Sequence, residues 1–243
     1  MAKTLIELCN EVGKNLRRSN GTTYTTLTQN ADVVFIVQAI NEAKRMIEDD
    51  WESDLLVKAI TFSSSAGVHT YDTSDLAVVT SDPDVTTDRS SIIRDKQRYR
   101  IQFFDVTDSV NQLNECSREY AQRRETISVT NVEIPGQVAV YPNSNGLTVH
   151  FPVAPSGVRN YKFYAKVPQD DLAATSTEII LPWRPVVLAA TALAADERGE
   201  ELGVDAKTWW DQYEKAYGSM VARESYEHDN TLVPETTDYM NPW

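Results

Sequence analysis

Apolar positions near the start of the chain recur at helical spacing. Leu5, Leu8, Cys9, Val12 and Leu16 fall on one face of a helix predicted over residues 4–18. Thr4, three residues before Glu7, supplies a capping-box pattern. Gly13 weakens this helix by about 1 kcal/mol relative to Ala, and Asn20-Gly21 stops it. A second helix is predicted from Ala31 to Trp51, with Val33, Ile36, Ile40, Ala43 and Ile47 as its stripe. Asn30 suits its N-cap and Asp32 its first turn, where the helix dipole favours an anion. Glu48, Asp49 and Asp50 sit at the wrong end for that dipole, at a cost of a few tenths of a kcal/mol unless a cation or partner meets them.

From about Leu55 the period changes to two. Strands are predicted in VKAITFSSS, VHTYD, RYRIQFFDV, VAVYP, LTVHFPVA and YKFYAKVP, with Asn145-Gly146 as a hairpin signal. Residues 72–95 are rich in Asp, Ser and Thr and read as a long loop. DVTDSVNQLNECSREYAQRR is helical or irregular. Helical spacing returns near Trp183 in an alanine-rich segment with Pro185 in its first turn. A last helix is predicted over Asp205 to Tyr226, with Trp209, Tyr213, Ala216 and Met220 on one stripe. Two amphipathic helices alone would leave their stripes wet, so the helices at the two ends should pack together. The expected class is α+β: a helical bundle formed by the N- and C-terminal helix pairs, an inserted antiparallel β-sheet region and an extended C-terminal tail. The expected divisions are 1–55 with 179–227 for the discontinuous bundle, 56–178 for the β-rich insert and 228–243 for an extended arm.

Charge changes the picture of partners. The chain has 243 residues, 23 Lys and Arg against 36 Asp and Glu, and a formal net charge of −13. That balance opposes a nucleic-acid grip over the whole surface and docking on an anionic membrane. No apolar run approaches the roughly 20 residues of a membrane span. Glu7 and Glu11 interrupt the first apolar stretch, so it reads as no signal peptide. Cys9 and Cys116 form no motif and are expected as reduced, free thiols.

The search for chemistry finds little. His69, His150 and His228 show no motif spacing, so no metal ligands and no cofactor are assigned. No nucleophile elbow or phosphate-cradling glycine motif occurs. Acidic groups are plentiful, but neither Asp49, Asp50 and Glu52 nor Asp170-Asp171 stands out as a site. No catalytic residue is assigned, and the chain is expected to be no enzyme. Two features suggest contacts instead. Arg89, Arg94, Arg98 and Arg100, with Lys96, fall within twelve residues; they read either as a solvated face or as a contact with an acidic surface on another copy. The latter would be a head-to-tail contact of the kind that closes into a ring. The final segment holds Leu232, Val233, Tyr239, Met240 and Trp243, residue types that anchor interfaces, and reads as a docking arm.

Several phrases resemble a known class. INEAKRMIEDDW followed by TFSSSAGVHTYD is similar to the N-terminal half of tailed-bacteriophage head-to-tail adaptor (connector) proteins of the tail-tubular-protein-A kind. LPWRPVVLAATALAADERGEELG followed by WWDQYEKAYGSMV is similar to their paired closing helices, with aromatics spaced as in W-x3-Y-x3-Y. The resemblance covers residues 1–75 and 179–226. It implies a structural virion protein, found in the neck of the particle after synthesis in the host bacterial cytoplasm. Such proteins form a ring, typically a dodecamer, below the portal protein and above a tail nozzle, tail tube or fibre protein. The ring extends the channel for double-stranded DNA, which passes without sequence recognition, and no membrane is involved. The alternative is a tail-associated β-rich module that holds fibres or a glycan through Trp and Tyr.

Overall fold

The protein is described here from a computed structural model covering residues 2–16, 23–28, 31–51, 53–73, 89–93, 101–127, 132–144, 146–202 and 205–231, with backbone alone at 132, 198–202 and 224–231. Two helices open the chain, α1 (Leu5–Asn15) and α2 (Ala31–Asp50). Strands β1 (Val57–Ser63), β2 (Thr70–Asp72), β3 (Ser91–Ile92), β4 (Phe103–Asp105), β5 (Asn111–Gln112) and β6 (Asn114–Glu115) follow. Helix α3 (Arg118–Ile127) precedes β7 (Val132–Glu133), β8 (Gln137–Asn143), β9 (Gly146–His150), β10 (Ala154–Pro155) and β11 (Asn160–Lys166). Two long helices close the chain, α4 (Trp183–Leu202) and α5 (Ala206–Thr231). The class is α+β. The chain divides into two compact units, one of residues 1–53 with 171–243 and the other of residues 54–170.

In the first unit α4 is the hub and lies against α1, α2 and α5. Its Ala189, Ala190, Ala192, Ala194 and Ala195 are all buried, and their small side chains let neighbouring helices come close. The stripes of α1 and α2 are buried residue for residue: Leu5, Leu8, Cys9, Val12 and Leu16 on one, Val33, Ile36, Ile40, Ala43 and Ile47 on the other. The capping box is present, with the Thr4 N–H donating to Glu7 Oε2 at 2.8 Å. The first residues also pair with the segment before α4: the Leu5 N–H donates to Thr177 O at 2.9 Å and the Ile179 N–H to Lys3 O at 3.1 Å. Gly13 has a packing reason, because a Cβ there would lie 2.7 Å from Cε2 of Tyr24. Asn10 clamps the same tyrosine by its backbone, accepting from the Tyr24 N–H at 2.6 Å and donating to its carbonyl at 3.1 Å.

A cation meets the acidic end of α2. Glu48 is fully buried and paired at 3.2 Å with the equally buried Lys44 one turn earlier. The expected arm boundary is corrected. Helix α5 continues through 228 to Thr231, since no proline or glycine intervenes before Pro234. An arm therefore begins no earlier than 232, and residues 232–243 lie outside the described residues.

In the second unit a five-stranded sheet runs β1-β11-β4-β5, with β3 also on β11, and a four-stranded sheet runs β2-β9-β8-β6. β7 and β10 form a separate pair. An aromatic core fills the unit. Phe62, Phe103, Tyr161 and Phe163 come from the larger sheet, and Val138, Val140, Leu147 and Val149 from the smaller. Phe151, just past β9, packs its ring 4.8 Å from Tyr161 and 6.0 Å from Phe103, centroid to centroid. The predicted all-antiparallel arrangement is corrected. β6 pairs parallel with β8, and β7 with β10. Parallel neighbours need a crossover, and α3 provides it between β6 and β8. RYRIQFFDV contributes only Phe103–Asp105 as strand among its described residues; of the stretch expected as helical or irregular, the part after Ser117 is helical as α3, and the part before Cys116 holds the short strands β5 and β6.

Candidate functional site

The four-stranded sheet has two dissimilar faces. Strand alternation sends Val138, Val140, Leu147, Val149 and Phe151 into the aromatic core. The alternate residues, among them Tyr141, Thr148 and His150, take the opposite face. Helix α3 lies over β8 on that side. The helix is mostly polar, and Ala121 alone is buried in it. Arg118, Ala121 and Glu125 recur at i, i+3 and i+7, so one face carries all three. Arg118 stacks its guanidinium 4.6 Å from the centre of the Tyr141 ring, and Glu125 reaches His150.

Pairing of β2 with β9 sets Thr70 opposite His150, so His69 comes beside Phe151. The Phe151 N–H donates to His69 O at 2.8 Å, and His69 Nδ1 lies 2.9 Å from the Phe151 carbonyl oxygen. A carbonyl only accepts, so Nδ1 carries the proton and Nε2 presents its lone pair. The two imidazole centroids are 6.4 Å apart, edge to face. His150 is 1% exposed. Its Nδ1 lies 3.3 Å from the Tyr141 hydroxyl and its Nε2 3.1 Å from Glu125 Oε2. That second approach lacks hydrogen-bond geometry, and Nε2 is a buried polar atom without a hydrogen-bond partner. Burial holds the His150 pKa below its ordinary value, with His69 and Arg118 adding to the effect and Glu125 opposing it. The ring is therefore neutral at neutral pH.

Donor atoms of His69, Glu125 and His150 all lie within 4.8 Å of one another, the one such grouping of histidine, cysteine and acidic side chains among the described residues. The sequence reading assigned no metal ligand because no two histidines stand at motif spacing. Strand pairing brings His69 and His150 together across the sheet, and the polar face of α3 adds Glu125. The usable signal was one histidine at the end of a strand and another just before one, each next to residues that alternate into the core.

The residues singled out from the sequence are distributed differently. Arg89 is exposed, at the turn before β3. Arg94, Arg98 and Arg100 lie outside the described residues, as do Leu232, Val233, Tyr239, Met240 and Trp243. Cys9 and Cys116 are free thiols, and burial pushes them up to about 12 and about 11, so neither is a thiolate at neutral pH. No helix among the described residues is long and apolar enough to cross a membrane. No family model matches the chain, and no curated protein matches it.

Proposed function

We propose that this chain is a structural virion protein, a head-to-tail adaptor that works as a ring between the portal and the tail. The observation that carries the reading is α5. This helix runs for 26 residues, yet over 206–223 Tyr213 is its one buried side chain. Helices in water depend on tertiary packing far more than on propensity. A helix this long and this little covered by its own chain suits a role as the wall against a neighbouring copy. Trp210, Tyr213 and Tyr217 form a ladder along it, with successive ring centroids 5.6 Å apart.

The finer plan follows from the same reading. The N- and C-terminal helices act as one bundle in the collar, and residues 232–243 reach into a neighbouring component as an arm. Arg89, Arg94, Arg98 and Arg100 meet the acidic surface of the next copy. The net charge of −13 gives a channel wall that repels phosphate and lets DNA pass without sticking. The role calls for no turnover.

Imaging of the full chain by negative stain, alone and with a portal ring, tests the reading, with native mass giving the copy number. A closed ring seated on the portal is expected. A chain that neither self-associates nor binds the portal, or a glycan-binding trimer, would overturn it.

A further inference from the structure

We propose that His69, His150 and Glu125 bind one divalent transition-metal ion of the zinc class, pinning β2, β9 and α3 together in the β-rich unit. The inference is independent of the adaptor reading, because it rests on the second unit's own side chains.

Three observations converge. The donor set is two imidazoles and one carboxylate, which suits zinc and its neighbours better than the all-oxygen shells of calcium or magnesium. Each histidine has its second ring nitrogen already engaged: His69 Nδ1 donates to the Phe151 carbonyl, and His150 Nδ1 faces the Tyr141 hydroxyl. Metal-bound histidines are held in this way, with the outer partner fixing the tautomer and aiming the other nitrogen at the ion. The third observation is the orphaned Nε2 of His150. It is removed from water and lies 3.1 Å from a carboxylate oxygen without a hydrogen bond between them. A cation seated between that nitrogen and the carboxylate would give the buried nitrogen the partner it lacks.

The spacing sets what binding must do. Donors around a tetrahedral zinc stand about 3.3 Å apart, given bonds of roughly 2.0–2.1 Å. The present separations, up to 4.8 Å, must contract. His150 is locked in the sheet. Glu125 and His69 are half-buried, so closure falls to those two side chains, and the ion enters from their side. Three protein ligands leave the fourth position to water. Arg118, 4.6 Å from the Tyr141 ring centre on the α3 face, is a nearby like charge and limits the affinity.

The test is titration of the full chain, stripped with a chelator, by zinc and by cobalt. Calorimetry gives the stoichiometry, and the visible cobalt spectrum reports nitrogen–oxygen tetrahedral ligation. One ion per chain is expected. Glu125→Gln and His69→Asn change half-buried side chains and should leave the circular dichroism spectrum intact. Each should weaken zinc binding by more than the roughly 10–100-fold that loss of an outer partner costs. Tyr141→Phe should weaken it within that smaller range. His228→Ala should leave it unchanged. Absence of saturable binding at millimolar zinc, equal affinity in Glu125→Gln and His69→Asn, or loss of binding with His228→Ala would each overturn the proposal.

Discussion

Lys44 and Glu48 form an ion pair 3.2 Å apart on one face of α2, with neither side chain exposed to water. Both charges gave up hydration on folding, so the pair is held by mutual attraction and not by surplus stability. Lys44→Ala takes the ammonium from beside a carboxylate shut away from solvent. It is expected to cost about 3–5 kcal/mol, read as a shift in the urea midpoint. The double change Lys44→Met with Glu48→Leu should recover most of that loss. Equal destabilisation by the single and double variants would contradict this account.

Gly13 offers a case in which helix propensity and packing disagree. At an open helix position Gly→Ala gains about 1 kcal/mol. Here the new methyl would meet the Tyr24 ring, whose backbone Asn10 holds fixed. Gly13→Ala is therefore expected to lower stability, by about 1–3 kcal/mol as for other overpacked sites. The companion variant Gly13→Ala with Tyr24→Ala should show the propensity gain relative to Tyr24→Ala alone. Thermal melts of the four chains decide the matter.

Tyr161 is fully buried and its hydroxyl has no hydrogen-bond partner among the described residues. Burial pushes its pKa far up, so the phenol stays neutral. An unsatisfied buried hydroxyl costs about 1–3 kcal/mol. Tyr161→Phe keeps the ring in the aromatic core and removes the burden. We expect unchanged or higher stability in chemical denaturation, and a clear loss would point to a bound water on that oxygen.

Asp105 and Arg159 set an acid limit. Burial works to raise the Asp105 pKa, but hydrogen bonds from Arg159 and Thr107 outweigh it and hold the carboxyl below its ordinary value. Arg159 Nε lies 2.5 Å from Asp105 Oδ2, and its Nη2 3.1 Å from Asp108 Oδ2. A depressed folded pKa means that the unfolded chain takes up the proton more readily. The contribution is complete above the ordinary carboxylate pKa, about 4, and fades as pH falls below it. Stability measured between pH 6 and pH 2 should drop less in Asp105→Asn than in the native chain. Parallel curves would dismiss the pair as the cause.

Truncation separates arm from fold. Removal of residues 232–243 leaves α5 entire and should preserve the melting temperature while weakening attachment to a portal or tail partner. Reversing Arg94 and Arg98 to Glu should lower ring assembly in light scattering without changing the melt. Normal partner binding by the truncated chain would end the docking-arm idea, and unchanged assembly the arginine-contact idea.

The helical unit was largely legible in the sequence. Leu5 through Leu16 and Val33 through Ile47 repeat at helical spacing, and the same residues are buried. Lys44 and Glu48 were not legible, because charged types signal water unless a partner is known, and the pattern does not name partners. The parallel pairing of β6 with β8 was hidden for another reason. Asn114 and Glu115 have little intrinsic strand preference, so their place is fixed by β8 beside them. His69 and His150 escaped notice because register, not spacing, brings them together.

Residues 1–53 complete their unit only with residues from 171 onward. On a ribosome, Ile36, Ile40 and Ile47 are made early, but α4 emerges only after the whole intervening unit has been translated. At 5–20 residues per second this delay is on the order of 10–30 s. During that interval the apolar stripes of α1 and α2 have only each other for cover, while the segment behind them can already fold. Chaperone demand during synthesis should therefore fall on α1 and α2, and moving them to the C-terminal side of α5 by circular permutation would relieve it.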